Sequence, residues 1–307
     1  MKMKMPADPA QPAVAHLTPQ TPLLPAIHAW EIFLKDQGRS IYTIKAFRGD
    51  LELLASFLPP DRTLGAVSTS DLNHFLQWLQ KGRGVPCSPK SLARRITSIK
   101  AFFRWLQRSG VLLQDPALKV IQQSVISPLP VVLTPEEVLK AVEAAQTFRR
   151  AAKPDARPYV LLTLLLETGI KKGECLTITR NHIDAEAPDG PTLFVRYASP
   201  ANRYKERKIP LSQDWIAAYQ EYLAQYNPPD QIFPWSPRRL EYLLEDISQA
   251  AGLEKHISFD MCRWTCALDD WKSGIEGDKI RQKLGISKIQ WREVSMKLRQ
   301  LAGETIE

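Results

Sequence analysis

Several groups of side chains in this 307-residue chain have types and spacings that suit chemistry. Asp260 and Arg263 stand three apart, so on a helix the guanidinium either pairs with that carboxylate or grips an anion such as a phosphate. Cys262 and Cys266 lie four apart with His256 nearby. A metal site would need a second pair at ligand spacing, which the chain lacks, so no metal and no cofactor are expected. From Lys81 to Arg108 there are eight basic residues and no acidic one, a pattern that suits a polyanion.

The charge balance sharpens that last point. Net charge is +8, and residues 1–118 carry 15 Lys and Arg against 8 Asp and Glu, whereas the rest of the chain is close to neutral with 26 against 25. Excess positive charge confined to one third of a chain points to nucleic acid, with a solvated basic helix face as the alternative. The longest apolar run, Tyr159 to Leu166 broken by Thr163, falls far short of the ~20 residues that cross a bilayer. The start of the chain has no apolar segment of a secretory signal, and the four cysteines show no framework spacing, so a cytoplasmic protein is expected.

The elements that must hold these groups are mostly helices. Residues 1–22, rich in Pro, Gln and Ala, read as a disordered tail. Residues 23–118 carry helical apolar periods. In the last of these Leu92, Ile96, Ile99, Phe103 and Leu106 form a core stripe, while Lys90 and Arg94, and Lys100, Arg104 and Arg108, stack on the other side. A linker, 119–133, precedes Thr134-Pro-Glu-Glu, a helix start with proline at its first position. In 134–307 helices are interrupted only where Leu193, Val195 and Tyr197, then Lys208 to Leu211, alternate as two short strands. Trp264, Trp271 and Trp291 are expected in the core. The fold class is mainly α, in two domains, with one small antiparallel sheet.

With that order in place, six strings resemble the tyrosine recombinases, the phage integrase and Xer family. Thr43-Ile-Lys-Ala-Phe-Arg-Gly-Asp-Leu is similar to the entry helix of the family's core-binding, SAM-like domain, and Ser91 to Phe103 with Gly110 and Asp115-Pro116-Ala117 to its last helix and exit. Glu167-Thr-Gly-Ile-Lys-Lys-Gly-Glu-Cys-Leu-Thr-Ile followed by His182-Ile-Asp resembles the first arginine box. Lys205-Glu-Arg-Lys-Ile-Pro-Leu resembles the end of the β-hairpin, Asp260-Met-Cys-Arg-Trp-Thr-Cys-Ala the second arginine box, and Lys283-Leu-Gly-Ile-Ser-Lys-Ile-Gln the segment before the nucleophile.

The resemblance implies a protein that clamps duplex DNA between a basic helical domain and a catalytic-type domain. In the family a tyrosine attacks the scissile phosphate, two arginines hold it, a hairpin lysine protonates the leaving hydroxyl and histidines assist. Here Ser295 falls where the tyrosine is expected, and no tyrosine follows Tyr242. Lys171 takes the first arginine position, Asn202 the hairpin lysine position with Arg203 and Lys205 as unranked substitutes, Asp260 the first histidine and Ile286 the next; only Arg263 matches. The expectation is therefore a DNA-binding member with a degenerate site that acts in or regulates recombination, alone, with a second copy or beside an active recombinase. Its expected DNA contacts are Lys90, Arg94, Arg95, Lys100, Arg104, Arg203, Lys205 and Arg263. Two alternatives stand beside it. One is an active recombinase rebuilt around Lys171, Arg203 or Lys205, and Arg263; the other is an interaction module that binds no DNA.

Overall fold

The structure is a computed structural model, and it describes Val14, residues 16–121 and residues 128–304. Two compact units divide between Pro128 and Leu129. Among the described residues no helix is long and apolar enough to cross a membrane.

Among its described residues the first unit is built from four α-helices, α1 (Leu23–Asp36), α2 (Ile41–Phe57), α3 (Thr69–Gln77, continued by a π turn to Gly82) and α4 (Pro89–Arg108). Their starts are set by short polar caps. Ser40 accepts from the Thr43 N–H, Ser68 and Asp71 bond reciprocally, and Ser88 precedes a proline at the first position of α4. Trp30 centres the core, stacked on Phe47 at 5.7 Å and edge-on to Phe102 at 5.5 Å. Leu92, Ile96, Ile99, Phe103 and Leu106 are buried, as their period requires, and Phe102 and Trp105 widen the stripe. Part of the expected tail is tied down here. Gly65 N–H donates to the Pro19 carbonyl (2.7 Å) and Leu64 N–H to that of Thr21 (2.9 Å), a pairing that Pro and Gln composition did not signal. Residues 1–13 and 15 of that tail, and 122–127 of the linker, lie outside the described residues.

The second unit surrounds a central helix, α6 (Arg157–Thr168), whose Val160, Leu161, Leu162, Leu164 and Leu165 are all fully buried. Helix α5 (Pro135–Arg149), opened by a reciprocal Thr134–Glu137 cap, packs on α6, and a single turn α7 (Lys172–Cys175) follows it. Gly169 ends α6 in the left-handed region at φ 59°, and a Cβ there would press on Cys266 Sγ and Leu284, each at 3.3 Å. The sheet has three antiparallel strands in the order β1 (Ile183–Asp184), β2 (Thr192–Val195), β3 (Arg207–Pro210), with Ile183 and Ile209 both opposite Leu193. β1 had no signal because two residues cannot show a period. β2 stops before Tyr197, where the chain enters a 3-10 turn, Pro200–Lys205. Helices α8 (Gln213–Tyr226), α9 (Pro237–Ala250), α10 (Phe259–Lys272), α11 (Gly277–Lys283) and α12 (Lys288–Ala302) complete the unit. A satellite core of Ala267, Leu268, Ile280, Leu284, Ile286 and Leu298 is covered by Trp264, Trp271 and Trp291, each half-buried as expected of core-packing indoles.

Candidate phosphate site and basic helix

Lys171, Asp260 and Arg263 line one open cleft of about 550 Å³ in the second unit, together with His256, Glu245 and the Lys172–Glu241 pair. Arg263 reaches across it from α10. Its Nη1 donates to the Gly169 carbonyl and its Nη2 to that of Leu284 (2.6 Å), the C-terminal ends of α6 and α11. A cation between two helix C-termini is well placed electrostatically. Arg263 therefore makes no ion pair with Asp260, the bond that three-residue spacing suggested. Asp260 is exposed in the first turn of α10.

Below Lys171 is a buried network that sequence reasoning missed. Glu174 accepts the Lys171 N–H (2.8 Å), the Tyr197 hydroxyl, and two arms of Arg207 at 2.9 and 3.1 Å. The Arg207 Nε donates to the Lys283 carbonyl (2.6 Å), and Nη1 also reaches that of Lys205 (3.1 Å). One guanidinium thus joins α7, β3, the 3-10 turn and α11. Burial pushes the Glu174 carboxyl up, but Arg207, the Lys171 N–H and Tyr197 outweigh it and hold the group at about 2. Glu174 and Arg207 both stand inside the quoted strings; nothing in those strings tells that they meet.

Lys171 itself is half-buried, and no hydrogen bond or ion pair engages its ammonium among the described residues. Burial, then the charges of Arg263, Arg207 and Lys205, push it below the usual lysine range, with Glu174 opposing. The hairpin residues separate. Lys205 Nζ donates to Asn202 Oδ1 (2.9 Å), lies 5.1 Å over the Tyr204 ring, and bears on Lys171, whereas Arg203 is exposed on another recess with Arg196 and His182. Ile286 is buried in the satellite core. Ser295 sits on α12, its hydroxyl donating to the Arg292 carbonyl of its own helix at 3.2 Å. Neither lines the Lys171 cleft. Burial pushes the Cys262 and Cys266 thiols to about 12 and 11, and His256 bonds Glu245 (2.8 Å) instead of either. No group of His, Cys, Asp and Glu among the described residues is arranged to hold a metal.

On α4 the expected DNA contacts divide in two. Arg94 donates to buried Asp50 of α2 (2.6 Å) and to the Ala46 carbonyl (3.1 Å). Arg95 pairs with the same carboxylate at 3.4 Å and donates to Cys87 Sγ at 2.7 Å, and the Ser98 hydroxyl completes the shell. The stretch that faces no acid along the chain therefore faces one in space, and Arg94 and Arg95 serve first to bind α2 to α4. By contrast, no partner engages Lys90, Lys100 or Arg104 among the described residues, nor Lys81, Arg83 or Arg108. Lys90, Arg94, Arg104 and Arg108 follow one outward row, with Lys100 beside it.

Comparison with known proteins agrees with this architecture. The family model described as phage integrase, N-terminal SAM-like domain, matches residues 27–110, and that of the phage integrase family matches 131–293. Tyrosine recombinase XerD of Listeria innocua is 24% identical over 273 residues, 84% of this chain and 89% of that protein. Tyrosine recombinase XerC of Mycobacterium bovis is 34% identical over 189 residues, 61% of this chain and 60% of that one. Among solved structures, a lambda integrase dimer bound to a COC' core site shares the fold at TM-score 0.70 and 17% identity, covering 92% of this chain and 78% of that chain. XerH site-specific recombinase bound to difH substrate gives 0.67 and 18%, covering 90% and 84%. The fold is that of a SAM-like helical domain followed by an integrase-type domain. The chain belongs to the phage integrase family of tyrosine recombinases.

Proposed function

We propose that the protein binds duplex DNA in the setting of recombination and does not carry out the family's phosphoryl-transfer cleavage. Residues 23–118 act as the helical DNA-binding domain and 134–307 as the integrase-type domain. Lys90, Lys100, Arg104, Arg203 and Lys205 supply phosphate contacts; Arg94 and Arg95 tie α4 to α2, Arg207 bonds the turn that carries Arg203 and Lys205, and Arg263 ties α10 to the ends of α6 and α11. The relatives carry names of recombinases, and the lambda integrase and XerH structures are DNA complexes, the former a dimer. Assembly with a second copy or an active relative on DNA follows from that kinship.

The observation that carries the inactive reading is the state of Arg263 and Ser295 together. The guanidinium is bonded to two carbonyls, Lys171 cannot supply a two-pronged grip, and a serine hydroxyl is a poor nucleophile without an adjacent base. No histidine follows His256 in the chain. The test pairs two measurements on one preparation. Affinity for a duplex should fall linearly with salt on a log–log plot, at about −0.9 per neutralised phosphate. A nicked duplex should give no denaturation-resistant protein–DNA adduct; an adduct that disappears in Ser295→Ala would overturn the inactive reading.

A further inference from the structure

The cleft retains one reactive group that phosphate chemistry leaves unused. Around Lys171 the other amines are engaged: Lys172 with Glu241 (2.7 Å), Lys205 with Asn202 (2.9 Å) and Lys283 with Asp270 (2.8 Å). Lys171 is half-buried, has no hydrogen-bond or ion-pair partner for its ammonium among the described residues, and lies near the charges of Arg263 and Arg207, which together with burial push its amine below the usual lysine range. Lining the same cleft are the exposed Asp260 carboxylate and the His256–Glu245 pair. An amine and a carboxylate lining one cleft suit a carbonyl substrate. They do not suit a phosphodiester, which needs a strong nucleophile and a clamp.

We propose that Lys171 is a nucleophile toward the C1′ aldehyde of an abasic deoxyribose in duplex DNA, and that the cleft carries out β-elimination on it; this rests on the DNA-binding reading above. The carbonyl is the electrophile that damaged DNA itself presents, with no activating group required. The Lys171 amine adds to the aldehyde, and the adduct takes a proton from solvent and expels water, leaving a protonated imine that acidifies the C2′ hydrogens; that proton returns to solvent when the imine is hydrolysed. Asp260 takes a C2′ proton, the C–H electrons form the C2′–C3′ double bond, and the C3′–O bond breaks with its pair leaving on the phosphate. One water then hydrolyses the imine and frees Lys171. The products are a strand ending in an unsaturated aldehyde and a strand with a 5′-phosphate. The water lost in the first step equals that taken up in the last, and no oxidant or metal is needed.

The test uses the full chain and three duplexes of one sequence, carrying an abasic site, its tetrahydrofuran analogue without an aldehyde, or no lesion. Binding is measured first on each. Borohydride is then added, and the products are separated under denaturing conditions. The expected result is an adduct with the abasic duplex alone, with the modified peptide containing Lys171 and the adduct lost in K171R, which keeps the charge. Salt-sensitive binding without an adduct overturns this inference and leaves the DNA-binding reading standing. An adduct on another residue, or one that persists in K171R, overturns it as well. Absence of binding to all three duplexes overturns both readings. Because the adduct is mapped on the unaltered protein, the outcome does not depend on whether K171R folds.

Discussion

Two buried carboxylates, one in each unit, hold arginines, and they behave oppositely. Glu174 is closed by a two-armed Arg207 whose side chain is only 8% exposed, and it is held at about 2. Asp50 meets Arg94 through one arm, with that arginine 40% exposed, and Arg95 at 3.4 Å. Burial pushes Asp50 up, and Ser98, Arg94 and Arg95 do not bring it back to its ordinary value. The difference is geometric. A second buried arm supplies the hydrogen bond and the unscreened charge that offset desolvation, whereas a half-solvated Arg94 and a largely buried Arg95 held off at 3.4 Å do neither fully. Basic residues counted along a chain therefore say little about which charges remain available to a ligand.

The largest expected effect is at the tighter pair. Glu174→Gln leaves Arg207 buried against a neutral amide, and breaking such a pair costs about 3–5 kcal/mol. Denaturant unfolding at neutral pH measures it; a loss below about 1 kcal/mol would place the pair among weak surface bridges. The sign with pH follows from the shift. A carboxyl lowered from 4.5 to about 2 adds stability that is present above the unfolded value and is lost as pH falls through the folded one. The gap between wild type and Glu174→Gln should accordingly narrow between about pH 4.5 and 2.

Next is the outer row of α4. Replacing Lys90, Lys100 and Arg104 with Glu should weaken binding to every duplex, by about 1 kcal/mol for each lost contact. The salt slope should become shallower by about 2.7, at 0.9 for each phosphate. Unchanged binding would reduce this row to a solvated face. Asp50→Asn should cost only about 1 kcal/mol, since the amide still accepts from Ser98 or Arg94. Its pH signature is opposite to that of Glu174: a carboxyl raised in the fold contributes stability below its unfolded value and loses it as pH rises through the folded one. Urea midpoints of Asp50→Asn and wild type should therefore draw together as pH rises above the ordinary aspartate range. A loss as large as that of Glu174→Gln would remove the contrast between the two sites.

How much of this was legible follows from what a sequence encodes locally. Ser88-Pro89, Thr134 with Glu137 and Gly169 mark helix ends by their own chemistry, so α4, α5 and α6 could be placed from them. Asp50 and Arg94 are 44 residues apart, and Glu174 and Arg207 are 33 apart. No periodic signal joins partners at such distances, and the Asp50 acceptor even fell on the buried side of an amphipathic helix. For the cleft, motif strings grouped Lys171, Asp260 and Arg263, yet the carbonyls that occupy Arg263 belong to the backbone, which no side-chain pattern reports.

The smallest effect is expected from the substitution that would matter most if only the nucleophile were missing. Ser295 is half-buried on α12 and, among the described residues, bonded within its own helix, so Ser295→Tyr should change stability by no more than about 0.5 kcal/mol. It should also give no covalent intermediate on nicked duplex DNA. A tyrosine supplies the attacking oxygen, but groups that act on one phosphate act as a unit, and the charge on that phosphate must be met during attack. Lys171 would meet it with a single point, Asp260 would oppose it, and Arg263 would first have to leave Gly169 and Leu284. Adding Lys171→Arg, Asp260→His and Ile286→His should do more than the tyrosine alone. Cleavage by Ser295→Tyr by itself would mean that Arg263 gives up its carbonyls readily, and that the second unit presents its cations as freely as the outer row of α4 does.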